Sequence, residues 1–169
     1  MRKSFGRADR AVGVESRQTR AATSVRRFRA EDVDEVMAIA AGYLEVASWS
    51  RASYLRFVEE DESLALVLET NGALTGFLVG RRIEDQSEVL NLAVGKKHRR
   101  KGQGTALLEA ALEHFASRGG NRVYLEVRES NTAAIAFYER HGFARTGRRK
   151  GYYRDPDEAA LTMEKKLPG

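Results

Sequence analysis

The run Asn91-Leu92-Ala93-Val94-Gly95-Lys96-Lys97-His98-Arg99-Arg100-Lys101-Gly102-Gln103-Gly104-Thr105-Ala106-Leu107-Leu108 constrains the fold of this chain more than any other stretch. An apolar strand passes through a basic, glycine-punctuated loop straight into a helix whose inner face is spelled out by Leu107, Leu108, Ala111, Leu112 and Phe115. A loop so placed lies at a helix start, where unpaired N–H groups and the positive end of the helix dipole attract anions. Gly102 and Gly104 admit backbone conformations and close approaches that a side chain would obstruct, and Arg99, Arg100 and Lys101 add positive charge beside them. Taken alone, the glycine pair reads as readily as a plain strand-to-helix turn as it does a phosphate site. It matches neither the P-loop pattern nor the dinucleotide fingerprint.

Along the rest of the chain, Val25 to Arg29 reads as a strand, Glu31 to Tyr43 as a helix capped by Asp32 or its neighbours, and Ser50 to Glu60 as a second short helix. Leu64 to Glu69 and Ala73 to Arg81 form a hairpin through Asn71-Gly72. Glu88 to Val94 precedes the basic loop. Arg122 to Val127 is a short strand after Gly119-Gly120, Thr132 to His141 is a helix closed by Gly142, and Phe143 to Lys150 and Ala159 to Lys165 are the last strands. Helices interrupting a series of strands indicate a mixed α/β sheet layered with helices.

The 169 residues, 42% of them hydrophobic, suffice for one domain with a sizeable core. Without cysteine there is no disulfide framework, thiol nucleophile or zinc–cysteine site. No apolar run reaches the roughly 18 residues of a membrane span, and the basic N-terminus lacks the apolar stretch of a secretory signal; a cytoplasmic protein is expected. The net charge of +5 is concentrated in residues 1–22, where six basic residues face two acidic ones. That polar, aperiodic segment reads as a disordered extension, separate from a domain over 23–169. It is either inert or a contact to RNA or another acidic surface. The near-neutral remainder argues against sequence-specific nucleic-acid binding.

Two residues are candidates for acid–base chemistry. Glu126, in Tyr124-Leu125-Glu126-Val127-Arg128, points opposite to Leu125 and Val127. It either faces water, paired with Arg122 or Arg128, or faces a cleft where it takes a proton from an amine. Tyr138 is either core, a place Phe137 also fills, or a hydroxyl at a cleft that protonates a departing thiolate. Asn131 either caps the following helix or holds a ligand. Trp49, Tyr152 and Tyr153 are core aromatics or walls of a substrate groove. His98, His114 and His141 show no metal-binding spacing, and no metal site is expected.

Taken together, Asn91-Leu92-Ala93-Val94, Arg99 to Gly104, Leu125 to Asn131 and Ala134-Ile135-Ala136-Phe137-Tyr138-Glu139-Arg140-His141-Gly142-Phe143 resemble the GNAT acetyltransferase family over roughly residues 24–166. Within it, Arg148-Arg149-Lys150-Gly151-Tyr152-Tyr153 is similar to the Arg-x-x-Tyr-Tyr segment of the RimI type, which acetylates the N-terminal amine of ribosomal protein S18. The resemblance implies the GNAT acyl-CoA N-acyltransferase fold: a mixed, mostly antiparallel sheet of about seven strands, splayed at its centre and flanked by about four helices. It implies acetyl-CoA as cosubstrate, held between the strand ending at Val94 and the one ending at Val127. The backbone of Leu92, Ala93 and Val94 would bond the pantetheine arm and the acetyl carbonyl. Arg99, Arg100, Lys101, Gly102, Gln103, Gly104 and Thr105 would hold the pyrophosphate, and Asn131 would contact the cofactor. Glu126 falls on the family's general base and Tyr138 on its general acid, with Trp49, Tyr152 and Tyr153 at the substrate. The acceptor implied is a protein N-terminus, that of S18, with ribosome association through the basic arm as a further expectation.

One departure bears on specificity. The RimI type often carries a Pro-Trp pair before its second helix, whereas this chain has Ala47-Ser48-Trp49-Ser50. Rival readings are acetylation of a small amine, an aminoglycoside or a lysine on the same fold, a non-catalytic acyl-CoA-binding domain, and a nucleic-acid-binding module suggested only by the arm.

Overall fold

The computed structural model describes residues 22–168. The expected extension over residues 1–22 therefore lies, but for Ala22, outside the described residues. Seven strands form one sheet in the order β1-β2-β3-β4-β5-β7-β6: β1 Thr23–Arg27, β2 Ser63–Thr70, β3 Ala73–Ile83, β4 Gln86–Val94, β5 Arg122–Arg128, β6 Ala144–Arg154 and β7 Asp157–Lys166. Four α-helices flank it: α1 Val33–Ala41, α2 Arg51–Glu59, α3 Gln103–Ser117 and α4 Thr132–Arg140. Every strand pair is antiparallel except β4 with β5, which α3 joins as a parallel crossover. This is the mixed, mostly antiparallel sheet expected from the sequence.

Alternation along the strands builds two cores. Leu64, Leu66, Leu68, Leu78, Val123, Leu125, Val127 and Met163 meet Leu107, Leu108, Ala111 and Phe115 of α3 and Ile135 and Tyr138 of α4. On the other face Ala65, Val67, Phe77, Val79 and Ala93 meet Val33, Val36 and Ala40 of α1 and Tyr54 of α2. Phe115 comes so close to β3 that a Cβ at Gly80 would lie 2.8 Å from its ring and 2.7 Å from the Glu88 carbonyl oxygen.

The sheet divides at its centre. The parallel pairing of β4 with β5 runs only from Gln86 opposite Arg122 to Val89 opposite Leu125. At that point the register of β4 against β3 jumps, Val79 facing Asn91 and Gly80 facing Val89, so Leu90 is an extra residue. A bulge of this kind bends and twists its strand and changes which way the following side chains point. Before it, Val89 enters the α3 core; after it, Val94 does, while Ala93 joins the α1–α2 core. Asn91 to Val94 stay on β3 and leave β5.

The two hairpins come out longer than sequence periodicity suggests. β6 continues to Arg154 and β7 starts at Asp157, so the polar Asp155-Pro156 link is a tight turn. The first helix is shorter than expected, a 3-10 turn over Ala30–Asp32 leading into α1. There the buried Asp32 carboxylate accepts from Arg26 (2.8 and 2.9 Å) and from the Arg29 backbone N–H (2.7 Å), while Arg26 also reaches Glu69. The Arg26 guanidinium, with the Arg29 amide, holds the Asp32 carboxyl below its ordinary value of 3.8 despite burial. A depressed carboxyl pKa contributes stability above the unfolded value, lost as pH falls through the folded one. Asp32→Asn is accordingly expected to cost about 3 kcal/mol at neutral pH. In urea melts its deficit against the unaltered protein should narrow below pH 3.8.

Candidate active site

The loop between β4 and α3 places its positive groups as the sequence suggested. Lys96–His98 makes a 3-10 turn, Arg100 takes φ 58° and Gly102 takes φ 76°. Glycine is the residue suited to that left-handed conformation at the helix start. The first α-helical bond of α3 runs from Ala106 N–H to the Gly102 carbonyl (3.0 Å), which leaves the Gln103, Gly104 and Thr105 amides for an anion. Gly104 needs no special backbone conformation. It is an ordinary helical residue, and an added Cβ would meet the Phe137 ring at 3.5 Å and Val94 at 3.9 Å, normal contacts.

The side chains of this loop divide. Arg99, Arg100 and Lys101 are all exposed, and the Arg99 guanidinium lies 4.1 Å from the Tyr43 ring centroid. Gln103 is buried and turned away, its amide donating to Thr70 Oγ1 (2.9 Å), so only its backbone faces the loop. Thr105 Oγ1 meets His141 Nε2 (3.1 Å), and His141 Nδ1 meets the Phe137 carbonyl (2.7 Å). Thus His141, which from sequence showed only a lack of metal-binding spacing, ties α4 to α3.

Beyond the bulge, the stretch Leu92 to Val94 faces the gap that β5 no longer fills. The buried Tyr43, just after α1, donates its hydroxyl to the Val94 carbonyl. Nothing in the sequence singled out Tyr43, whose position reads as the ordinary end of an amphipathic helix. Across the gap Tyr138 is packed against Phe137 and Phe143 (5.2 and 5.6 Å between centroids), and its hydroxyl makes no hydrogen bond among the described residues. Burial, reinforced by nearby Tyr153, pushes its pKa well above the usual phenol value, so it stays protonated. Asn131 caps α4, its Oδ1 accepting from Ala134 N–H (3.1 Å).

Glu126 points to the sheet face that carries α1 and α2, its side chain 15% exposed. Its partner is neither Arg122, which bonds Glu164 (2.6 Å), nor Arg128, which turns to Glu158 and to the Asp155 and Pro156 carbonyls. Arg149 of β6 donates to Glu126 Oε1 instead. Between Arg149 and Tyr153 the register of β6 on β7 is broken by Lys150, Gly151 and Tyr152, and this swelling brings Tyr152 over the carboxylate. A hydrogen bond to Glu126, together with partial burial, raises the Tyr152 hydroxyl to about 12. Tyr153 lies under Arg128, 4.0 Å from ring centroid to guanidinium carbon. Trp49 is half-buried against Phe57 and Tyr54 (5.0 and 5.4 Å), with no ring contact to Tyr152 or Tyr153 among the described residues.

A parallel strand pair split at the sheet centre, with an open helix start beside it, is the architecture of an acyltransferase fold. Residues 30–143 match the Acetyltransferase (GNAT) family, and the chain belongs to it. It is 35% identical over 117 residues to the ribosomal protein bS18-alanine N-acetyltransferase of Escherichia coli, covering 68% of this chain and 78% of that protein. It is 31% identical over 153 residues to an N-alpha-acetyltransferase of Sulfurisphaera tokodaii, covering 81% and 89%. The crystal structure of the ribosomal-protein-S18-alanine N-acetyltransferase from Escherichia coli superposes with a TM-score of 0.79 at 29% identity, covering 88% of this chain and 96% of that one. Acetyl-CoA is the cosubstrate that this family fold implies, and the unpaired stretch of β4 and the open helix start fit its amide-bearing arm and its pyrophosphate. No group of residues with metal-ligating composition occurs among the described residues, and no helix there is long and apolar enough to cross a membrane.

The two glycines separate by experiment. Gly102→Ala should lose about 1 kcal/mol in denaturant melts because alanine is strained at positive φ. Gly104→Ala should melt like the unaltered protein or slightly above it.

Proposed function

We propose that this protein transfers the acetyl group of acetyl-CoA to the N-terminal amine of a protein, the N-terminal alanine of ribosomal protein S18, by direct transfer in a ternary complex. The observation that carries the reading is the β4–β5 split beside the open α3 start, with Glu126 on β5 and the protonated phenol of Tyr138 in the core that also holds Val94 and Val127. Likeness to the bS18-alanine enzyme supports the acceptor, and a cytoplasmic location accords with it.

In this reading the backbone of Leu92, Ala93 and Val94 binds the acyl arm. The Gln103, Gly104 and Thr105 amides with Arg99, Arg100, Lys101 and Gly102 hold the pyrophosphate, and Asn131 contacts the same cosubstrate. The acetyl thioester supplies the electrophile. Glu126 takes the proton from the amine directly or through a water. Tyr138 gives its proton to the departing sulfur. The burial that raises the phenol pKa also raises that of a thiolate in the same pocket, so the proton transfer stays matched. An N-terminal amine, with a reference pKa of about 7.7–8.0, needs only modest help to become nucleophilic. Trp49, Tyr152 and Tyr153 border the acceptor. Residues 1–22 form an extension outside the domain of 23–169 and steer it to ribosomal phosphates; deleting them should abolish salt-sensitive ribosome association, and unchanged association would exclude that role.

The test is acetyl transfer to short peptides beginning with Ala, Ser or Met and to an N-blocked lysine peptide, S18-like termini included, with the modified position found by mass spectrometry. Modification of the α-amine of the S18-like alanine peptide is expected; transfer to lysine alone would overturn the acceptor. Tyr138→Phe should lower kcat by about a hundredfold or more while acetyl-CoA affinity, measured by calorimetry, changes little. Equal turnover in the variant would remove Tyr138 from the mechanism.

A further inference from the structure

Four glutamates around the acceptor side of the split are each matched by an arginine, whereas Asp157, beside Gly151, is exposed and has no ion pair among the described residues. Glu88 of β4 accepts from Arg81 (2.9 and 2.8 Å), Glu129 accepts from Arg148 (2.8 Å twice), and Glu158 is paired with Arg128 (3.3 Å). Glu126 has Arg149. The titratable groups beside Glu126 and its arginine are the phenols of Tyr152 and Tyr153 on β6, both with raised pKa values and therefore neutral near pH 7, and the Glu88 carboxylate, which also acts on Arg149. Beside Glu126, where a cationic amine would approach, each of these glutamates already has its cation.

Arg149 is placed for this by the fold. Its guanidinium carbon lies 5.0 Å from the Tyr152 ring centroid, and the irregular Lys150–Tyr152 segment, with Gly151 at φ 59°, folds that ring back toward Glu126. A carboxylate already paired with a guanidinium gives little further stabilisation to an ammonium group, so acceptors are sorted by how much of each is already uncharged. Near neutral pH roughly a quarter of an α-amine is neutral, against about one part in a thousand of a lysine side chain. That difference of about two hundredfold or more needs no discrimination by shape.

We propose that Arg149 is a specificity-determining residue, which by pairing with Glu126 selects acceptors with an α-amine and rejects lysine side chains. The inference rests on the acetyl-transfer reading above and extends it to the class of amine accepted. With Arg149 neutralised, an unpaired Glu126 would hold an ammonium and draw its proton away, which benefits lysine far more than an α-amine.

The experiment compares Arg149→Gln, Arg149→Lys and the unaltered protein on one alanine-initiated peptide and on its N-blocked, lysine-containing counterpart, across about pH 6.5 to 9.5, a range spanning the α-amine pKa. Arg149→Gln should reduce the kcat/KM preference for the α-amine at least fivefold, chiefly through a lower KM for the lysine peptide, and move the acidic limb of its kcat profile to higher pH. Arg149→Lys, which keeps the charge, should restore most of the preference. A preference and a pH profile unchanged in an Arg149→Gln protein that melts normally would overturn the proposal. If the unaltered protein acetylates neither peptide, the functional reading has failed instead. Calorimetry then decides for Arg149, because the Gln variant must still gain affinity for the lysine peptide, and an absence of gain overturns the proposal.

Discussion

Everything at the site depends on one extra residue in the central strand. Leu90 is the point at which β4 stops pairing with β5, and the same bulge reverses the phase of the side chains beyond it. Backbone N–H and C=O groups rarely go unpaired inside a protein, so a strand edge freed in the middle of a sheet calls for a partner. An acyl-pantetheine arm, with its own amide groups, is a partner of the right chemistry. The split is held open from both sides. Tyr43 ties the Val94 carbonyl to the end of α1, and β7, inserted between β5 and β6, holds β5 over its whole length.

The two ends of the cleft have opposite electrostatics, which divides recognition from chemistry. At the α3 end, Arg100, Lys101 and the free amides of the first turn present unmatched positive charge, the condition for binding a pyrophosphate. At the acceptor end, Glu88, Glu126, Glu129 and Glu158 each have an arginine, and Tyr152 and Tyr153 keep their protons. The low, balanced field there suits a reaction between neutral partners, in which charge develops only as the amine attacks and the sulfur departs. Tyr138 is sheltered by Phe137 and Phe143 on the α3–α4 face of the sheet, and Glu126 lies on the opposite face.

Much of this was legible in the residues. The strand-loop-helix run, the Asn71-Gly72 hairpin and the helical spacing around Tyr138 identify elements because they depend on local rules of periodicity and turn chemistry. The order of motifs then carries the family, and with it the splayed sheet. What could not be read are features set by register. The bulge at Leu90 leaves no mark in a run of apolar residues. The Glu126 partner is 23 positions away on a strand two places across the sheet, so the nearer Arg122 and Arg128 looked equally good. Gln103 and Gly104 sit in a motif whose backbone matters, and their side-chain positions, one buried and one absent without necessity, follow from packing that spacing does not encode.

The central claim is that the β4–β5 split and the α3 start form a single acyl-CoA site. Backbone hydrogen exchange with and without acetyl-CoA tests it most directly, since it reports on the strand and the helix start at once and does not require the acceptor to be known. The account predicts slowed exchange confined to Leu92–Val94 and to Gln103–Thr105. Binding that leaves these amides unchanged, or protects only the helix start while the strand edge exchanges as before, would contradict it.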